Sequence, residues 1–184
     1  MSECPTFRTA IRLRSVSKEF AAGAGNCTAS VAALDSASVE IRGGEVLLVC
    51  GPPGAGKTTL LLCAAGLLHC DTGDVVGGGR RVVYVDIDRA APSLGGWPAG
   101  AVVLLDSCDD LGELKRATVA QAVAAALATG AAVVLAARDP ESCMTLIPQS
   151  ATVSVLHLRR GQITSQRRGL GVVARVAEAV GGGY

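Results

Sequence analysis

The residues with the clearest chemistry form one short run, GPPGAGKTT, from Gly51 to Thr59. Gly51, Gly54 and Gly56 permit a backbone curl in which consecutive N–H groups point inward at an anion. Lys57 sets a mobile ammonium group beside them, suited to the β- and γ-phosphates of a nucleotide, and the Thr58 hydroxyl is a hard-oxygen ligand for Mg²⁺. Pro52, Pro53, Ala55 and Thr59 complete the expected phosphate-facing set. The spacing G-x-x-x-x-G-K-T gains weight from its flanks. Val46 to Cys50 reads as a buried strand before it, and Lys57 to Leu68 as a buried helix after it, ending between Gly66 and Asp71. The start of that helix adds its positive dipole end to the same anion site. A Gly/Pro turn that happens to contain Lys-Thr is the bland alternative, and it leaves both flanks unexplained.

Further chemistry stands at the ends of other apolar runs. Ala101 to Asp106, AVVLLD, reads as a buried strand closing on a carboxylate. An unpaired buried carboxylate is costly, so Asp106 is expected to hold Mg²⁺ through water beside Thr58. The strand Arg81 to Asp86 ends in a second metal candidate, Asp86, with Asp88 close by. Ala131 to Ala136 leads into Arg138, which is able to contact a γ-phosphate but not to accept a proton as an imidazole does. After Asp106 comes Ser107, then Asp109, Asp110 and Glu113. These acids read either as a substitute base or, more ordinarily, as a solvated cluster at a helix N-terminus.

The elements that must position these groups are those of an α/β fold: a P-loop core of mostly parallel sheet flanked by helices, with an N-terminal antiparallel β-subdomain. One domain is expected over 1–184, with the β-subdomain at about 7–45, the nucleotide-binding core at 46–168 and a tail at 169–184. Residues 7–20 alternate partially and predict a strand near an edge. A small-residue loop from Ala21 to Ser30 precedes a second strand, clearest over Ser38 to Arg42, and a turn at Gly43-Gly44. Leu114 to Thr129 predicts a helix with an apolar stripe of Leu114, Val119, Val123 and Leu127. Val153 to Thr164 predicts strand, tight turn at Gly161, and strand. Leu170 to Tyr184 predicts a short amphipathic helix and a glycine run.

The order VSKEF, then VAALDSASVEIRGGEVLLVCGPPGAGKTTLLLCAAGLLHCDTGDV, resembles the N-terminal half of ATP-binding-cassette (ABC) ATPases, closely over about residues 11 to 76. The resemblance implies ATP and Mg²⁺ as cofactors, with Phe20 as the aromatic on which adenine stacks. The other reading of Phe20 is a core residue of the strand pair. It also implies partners: a homodimer or heterodimer of nucleotide-binding domains sandwiching ATP, and an integral membrane permease driven by their closure. The chain would then be cytoplasmic, held at the inner face of the membrane through that partner. Several departures weaken the likeness. The family's glutamine after the Asp86 strand is missing, Ser107 replaces its glutamate, and Arg138 replaces its histidine. Its L-S-G-G-Q signature survives only as Ser93 to Trp97, SLGGW, better read as a glycine-rich loop capped by a lone Trp. No length remains for the helical subdomain. Slow ATP hydrolysis, with Lys57 and Asp106 as the central residues, is the expectation that follows. A nucleotide-dependent switch and a small-molecule kinase are the alternatives; the kinase needs an arginine lid from Arg80, Arg81, Arg89 and Arg138.

Composition removes other classes. The 184 residues carry 17 basic and 16 acidic side chains, net +1, so no overall field draws the chain to nucleic acid. Aromatic content of 3% also leaves too few rings for a base-stacking platform. No N-K-x-D pattern supports guanine specificity. No apolar run reaches membrane-spanning length, and MSECPTFRTA lacks a signal peptide's apolar segment. Seven scattered cysteines without a C-x-x-C pair read as reduced thiols, and His69 and His157 as ordinary packing or surface residues rather than zinc ligands.

Overall fold

In chain order the elements are β1 (Thr9–Ala22), β2 (Ala29–Arg42), β3 (Glu45–Cys50), α1 (Lys57–Ala64), β4 (Thr72–Gly77) and β5 (Val82–Asp86). They continue with β6 (Val102–Asp106), α2 (Glu113–Ala128), β7 (Ala132–Ala137), α3 (Glu141–Met144), β8 (Thr152–Arg159) and β9 (Gln162–Gly171). This is a computed structural model, and the residues it describes are 8–22, 29–77, 79–89 and 94–171.

Short β-branched and leucine-rich runs, buried on both faces in β6, β7, β3 and most of β8, build a six-stranded sheet in the order β5-β6-β7-β3-β8-β9. Its strands pair parallel from β5 to β8, and β9 closes one edge antiparallel. Alternation decides what each face meets. Leu47, Val49, Leu104 and Val134 pack on the side of α1 and of a second sheet, whereas Leu48, Val103, Leu105 and Val133 pack on the side of α2 and α3. The second sheet is antiparallel, in the order β2-β1-β4. The α/β fold with its N-terminal antiparallel sheet is therefore as the sequence predicts.

Several boundaries differ. β2 begins at Ala29, not Ser38, because its first residues pair with the end of β1, Phe20 opposite Val31 and Ala22 opposite Ala29. Ala21 and Ala22 are thus the end of β1, and Ala29 and Ser30 the start of β2; residues 23–28 lie outside those described. α1 stops at Ala64, short of Leu68. The chain folds back at Gly66, whose N–H returns to the Cys63 carbonyl while that of Leu67 returns to Leu62, at 3.0 Å each. The stripe on α2 is also shifted. Val119, Ala122, Val123 and Ala126 are buried, but Leu114 is 85% exposed. Five residues from Val119, Leu114 lies about 140° round the helix, so it faces solvent.

β8 and β9 form the expected hairpin, longer than predicted, through Arg160 (φ 50°) and Gly161 (φ 78°), the paired left-handed residues of a two-residue turn. β9 runs to Gly171, so the first tail positions are strand rather than helix; the predicted helix and glycine run over 172–184 lie outside the described residues. Leu94 to Trp97 is an irregular connection with Leu94 and Trp97 packed against the core under α2, as the loop reading of SLGGW expects, while Ser93 lies outside the described residues. Cys50, Cys63, Cys70, Cys108 and Cys143 are free thiols; Cys4 and Cys27 are among the residues not described. No helix among the described residues is long and apolar enough to cross a membrane.

Candidate functional site

β3 lies inside the parallel sheet, and its C-terminal end delivers the glycine loop to the rim. The Gly51 N–H is shared between the carbonyls of Ala137 (3.2 Å) and Arg138 (3.1 Å), which ties the loop to the end of β7. The backbone is tightly enclosed on the other side. A Cβ on Gly56 (φ 103°) would lie 2.1 Å from the Ala33 carbonyl oxygen, and one on Gly51 would lie 2.1 Å from that of Leu158. Both obstructing atoms are backbone, so glycine is required at each position. The loop is clasped again at Ala55, whose carbonyl accepts from the Gly161 N–H at 2.9 Å, and the Gly161 carbonyl accepts from the Asp35 N–H at 2.9 Å.

α1 starts at Lys57 with Gly56 as its cap, and no side chain caps it and no acid stands in its first turn. The dipole end of the helix therefore meets the loop without a competing carboxylate, the arrangement that suits a bound anion. The Lys57 ammonium arches back over the loop, donating to the carbonyls of Gly51 (2.6 Å) and Pro52 (3.1 Å). Gly54, Ala55, Gly56, Lys57, Thr58 and Thr59 line a cleft of about 260 Å³ together with Phe20 and Ala33. Pro52 and Pro53 are exposed at the loop's tip.

Phe20 is 43% exposed and lies at this cleft, outside the core that its alternative reading assigned to it. Its strand end is pinned. Asp71 accepts from the Lys18 ammonium and from the Glu19 N–H, both at 2.7 Å, and the Lys18 Nζ stands 5.7 Å from the Phe20 ring centroid. Ala33, which sequence reading missed, sits at an irregularity in the β1–β2 register: Glu19 pairs with Ala32 and Lys18 with Leu34, so Ala33 has no register partner among the described residues of β1.

Asp106 closes β6 on the α1 side of the sheet and is only 4% exposed. One carboxylate oxygen accepts from the Ser107 N–H at 2.9 Å, and the other from the Tyr84 hydroxyl at 3.1 Å. Burial, and then the Asp106 charge, pushes the Tyr84 phenol well above its usual range, so it stays a donor at neutral pH. Tyr84 was also missed; the signal was Tyr-x-Asp on β5, because period 2 puts Tyr84 on the face of Asp86, and Asp86 is the register partner of Asp106. The Asp86 carboxylate meets the Arg89 guanidinium at 3.5 Å and the Asp88 N–H at 3.1 Å. Hard oxygens at Thr58 and Asp106 are the donor set Mg²⁺ prefers, so the residues present fit that ion.

Arg138 is placed differently. Its N–H donates to Asp109 at 2.7 Å, and its guanidinium pairs with Asp110 and, at 3.8 Å, with Asp109. Asp109 and the exposed Asp110 therefore clasp the end of β7, ahead of α2, which begins only at Glu113. The other arginines assemble no lid. Arg80 donates to the Gly100 carbonyl at 2.9 Å, at a cleft of about 630 Å³ by the N-terminal strand ends, opposite the glycine loop. Arg81 lines that same distant cleft, and Arg89 is engaged with Asp86.

With β3 carrying the loop and β6, one strand beyond β7, carrying the carboxylate, the molecule has the architecture of a P-loop nucleotide-binding protein. Within that class, residues 34–99 match the ABC transporter family, and the fold is that of an ATP-binding cassette. The chain is 44% identical over 77 residues to the sulfate/thiosulfate import ATP-binding protein CysA of Xanthomonas campestris pv. campestris, covering 42% of this chain and 20% of the relative. It is 42% identical over 59 residues to the taurine import ATP-binding protein TauB of Roseobacter denitrificans, covering 32% of this chain and 22% of that one. The chain thus spans about a fifth of the length of these curated relatives. Among solved structures, the cassette MJ0796 in a dimeric post-hydrolysis state with ADP and Pi superposes with a TM-score of 0.65 at 13% identity, covering 88% of this chain and 99% of that one. The ADP conformation of MJ1267, a cassette of an ABC transporter, gives 0.65 at 14% identity, covering 96% and 100%. The resemblance read from the sequence is therefore borne out, and the antiparallel sheet and parallel core have counterparts in solved cassettes.

Proposed function

We propose that this cassette binds Mg-ATP at the glycine loop and hydrolyses it slowly. The observation that carries this reading is the enclosed loop, where Gly51 and Gly56 have no room for a Cβ and the start of α1 faces the cleft shared with Phe20. In this reading the loop amides and Lys57 hold the phosphates, Phe20 offers its ring to the base, and Thr58 and Asp106 hold the cation. A bound Mg²⁺ would offset charge on the β- and γ-phosphate oxygens. Slow turnover follows from the residues after Asp106. Ser107 is no general base, Asp109 and Asp110 are engaged with Arg138, and Glu113 stands exposed in the first turn of α2, seven residues along the chain from Asp106.

Titration with ATP and Mg²⁺ tests the first half. Saturable binding is expected, weakened at least ~10-fold by Lys57→Ala, a loss of about 1.4 kcal/mol. Turnover should fall well below the common enzymatic range of about 1–1000 per second. Hydrolysis at several per second in the wild type, abolished in Lys57→Ala, would overturn the slow-turnover half.

The relatives' names, import ATP-binding proteins, support a place as the energising subunit of an importer, working as a pair of cassettes against a membrane permease. One observation favours a second reading, a nucleotide-dependent switch: the connection from β5 to β6 spans only residues 87–101 and carries no helix among its described residues. Co-purification separates the two. An importer subunit brings down an integral membrane protein, and size-exclusion with Mg-ATP shows a dimer lost in Lys57→Ala; a switch stays monomeric and brings down a soluble protein.

A further inference from the structure

We infer that Tyr84 is a positioning residue for the metal-binding carboxylate of Asp106: its hydroxyl fixes one Asp106 oxygen, and so fixes the direction in which the carboxylate meets the cation. The inference rests on the Mg²⁺ reading given above and concerns a residue that reading does not use.

Three observations carry it. First, the geometry is specific, since the Tyr84 hydroxyl lies 3.1 Å from Asp106 Oδ2 while the Ser107 N–H lies 2.9 Å from Oδ1. An ionised carboxylate has about four lone-pair sites, so two bonds leave one site free on each oxygen. The bound pair of donors thereby selects one carboxylate plane out of the rotations available to the side chain. Second, Asp106 is 4% exposed, so bulk solvent has little access to replace the phenol. Losing the hydroxyl leaves Oδ2 with an unmet bond in a buried place, and the carboxylate turns to relieve it. Third, the phenol is held by the sheet. Tyr84 is opposite Leu104 in the parallel register and packs into the same core face as Leu104, which aims its ring along the strands toward their C-terminal ends. A residue that hydrogen-bonds a metal-holding carboxylate orients it and commonly governs metal affinity by about 10-fold or more.

The test uses the full chain and Mn²⁺ as the probe, titrated in the presence of saturating ADP and followed by electron paramagnetic resonance of the free ion. Wild type, Tyr84→Phe and Asp106→Asn are compared, and ADP affinity is measured separately in EDTA. Tyr84→Phe keeps the ring and removes only the hydroxyl. The expected result is Mn²⁺ affinity about 10-fold weaker in Tyr84→Phe, with metal-free ADP affinity unchanged. Equal Mn²⁺ affinity in Tyr84→Phe and wild type, with Asp106→Asn impaired, overturns the role of Tyr84 and leaves the Mg²⁺ reading standing. Loss of metal-free ADP affinity in Tyr84→Phe also overturns it, because the hydroxyl then serves packing. Unimpaired Mn²⁺ binding in Asp106→Asn overturns both together.

Discussion

A Cβ at position 56 would collide with the Ala33 carbonyl, a backbone atom that moves only if β2 moves. Gly56→Ala is therefore expected to weaken ATP binding by at least ~10-fold while the secondary structure by circular dichroism stays near wild type. An unchanged affinity by calorimetry would show that the loop has more freedom than this packing allows. Arg138 offers a contrast. Its ion pair with Asp110 involves side chains 48% and 84% exposed, and exposed pairs contribute little to stability. Asp110→Asn should shift unfolding free energy by less than about 1 kcal/mol, yet speed amide exchange over residues 107–112, since Asp110 sits in a left-handed conformation (φ 50°) that the clasp helps to hold. Hydrogen exchange resolved to peptides checks both. Loop conformations such as those of Ser107 and Asp110 carry no sequence signature comparable to a glycine, so this clasp was not legible in advance.

At the scale of elements, the face each helix and strand buries decides the cost of a change. Leu104 is fully buried between β5, β7 and the layer of α1, and Leu104→Ala should cost about 2–5 kcal/mol in denaturant unfolding. Leu114→Ala should stay within about 0.5 kcal/mol, because the first turn of α2 presents that side chain to solvent. An equal cost at the two sites would mean that the helix phase is misassigned. The inner parallel strands were readable because they are buried on both sides: VLLVC, VVLL and AVVLAA are continuous apolar runs that end at Gly51, Asp106 and Arg138. The glycine loop was readable for a local reason, since its spacing is dictated by backbone curvature. What sequence missed depends on neighbours far along the chain. Tyr84 matters only because register sets β5 beside β6, and Ala33 only because β2 continues past Ser38 to lie along the end of β1. The apolar stripe on α2 holds at Val119, Val123 and Leu127 but misses at Leu114, because alanines occupy two of the four buried positions and carry little signal against a prominent leucine outside them.

At the scale of the whole molecule, the two sheets are joined by a charged cluster and by the β8–β9 hairpin. Glu40 on β2 receives Arg12 (2.9 Å), Arg42 (3.1 Å) and Arg168 of β9 (3.3 Å). The Thr9 hydroxyl first, and then Arg12, draw its carboxyl from 4.5 down to about 2. A depressed folded-state value contributes stability that is present above pH 4.5 and is lost as pH falls toward 2. Glu40→Gln should thus remove part of the pH dependence of the melting temperature between those limits, while an unaltered profile would assign the acid sensitivity to other carboxylates. The second join runs from Asp35 through Gly161 to Ala55, with Gln162 donating to the Asp35 carboxylate at 2.6 Å. One amide link thus connects the outermost ribbon of the large sheet to the glycine loop, and a second connects the same ribbon to β2. On the proposed reading of the loop, a neighbour that grips this ribbon would have a mechanical lever on how tightly nucleotide is held, and nucleotide would in turn stiffen the very handle such a neighbour pulls.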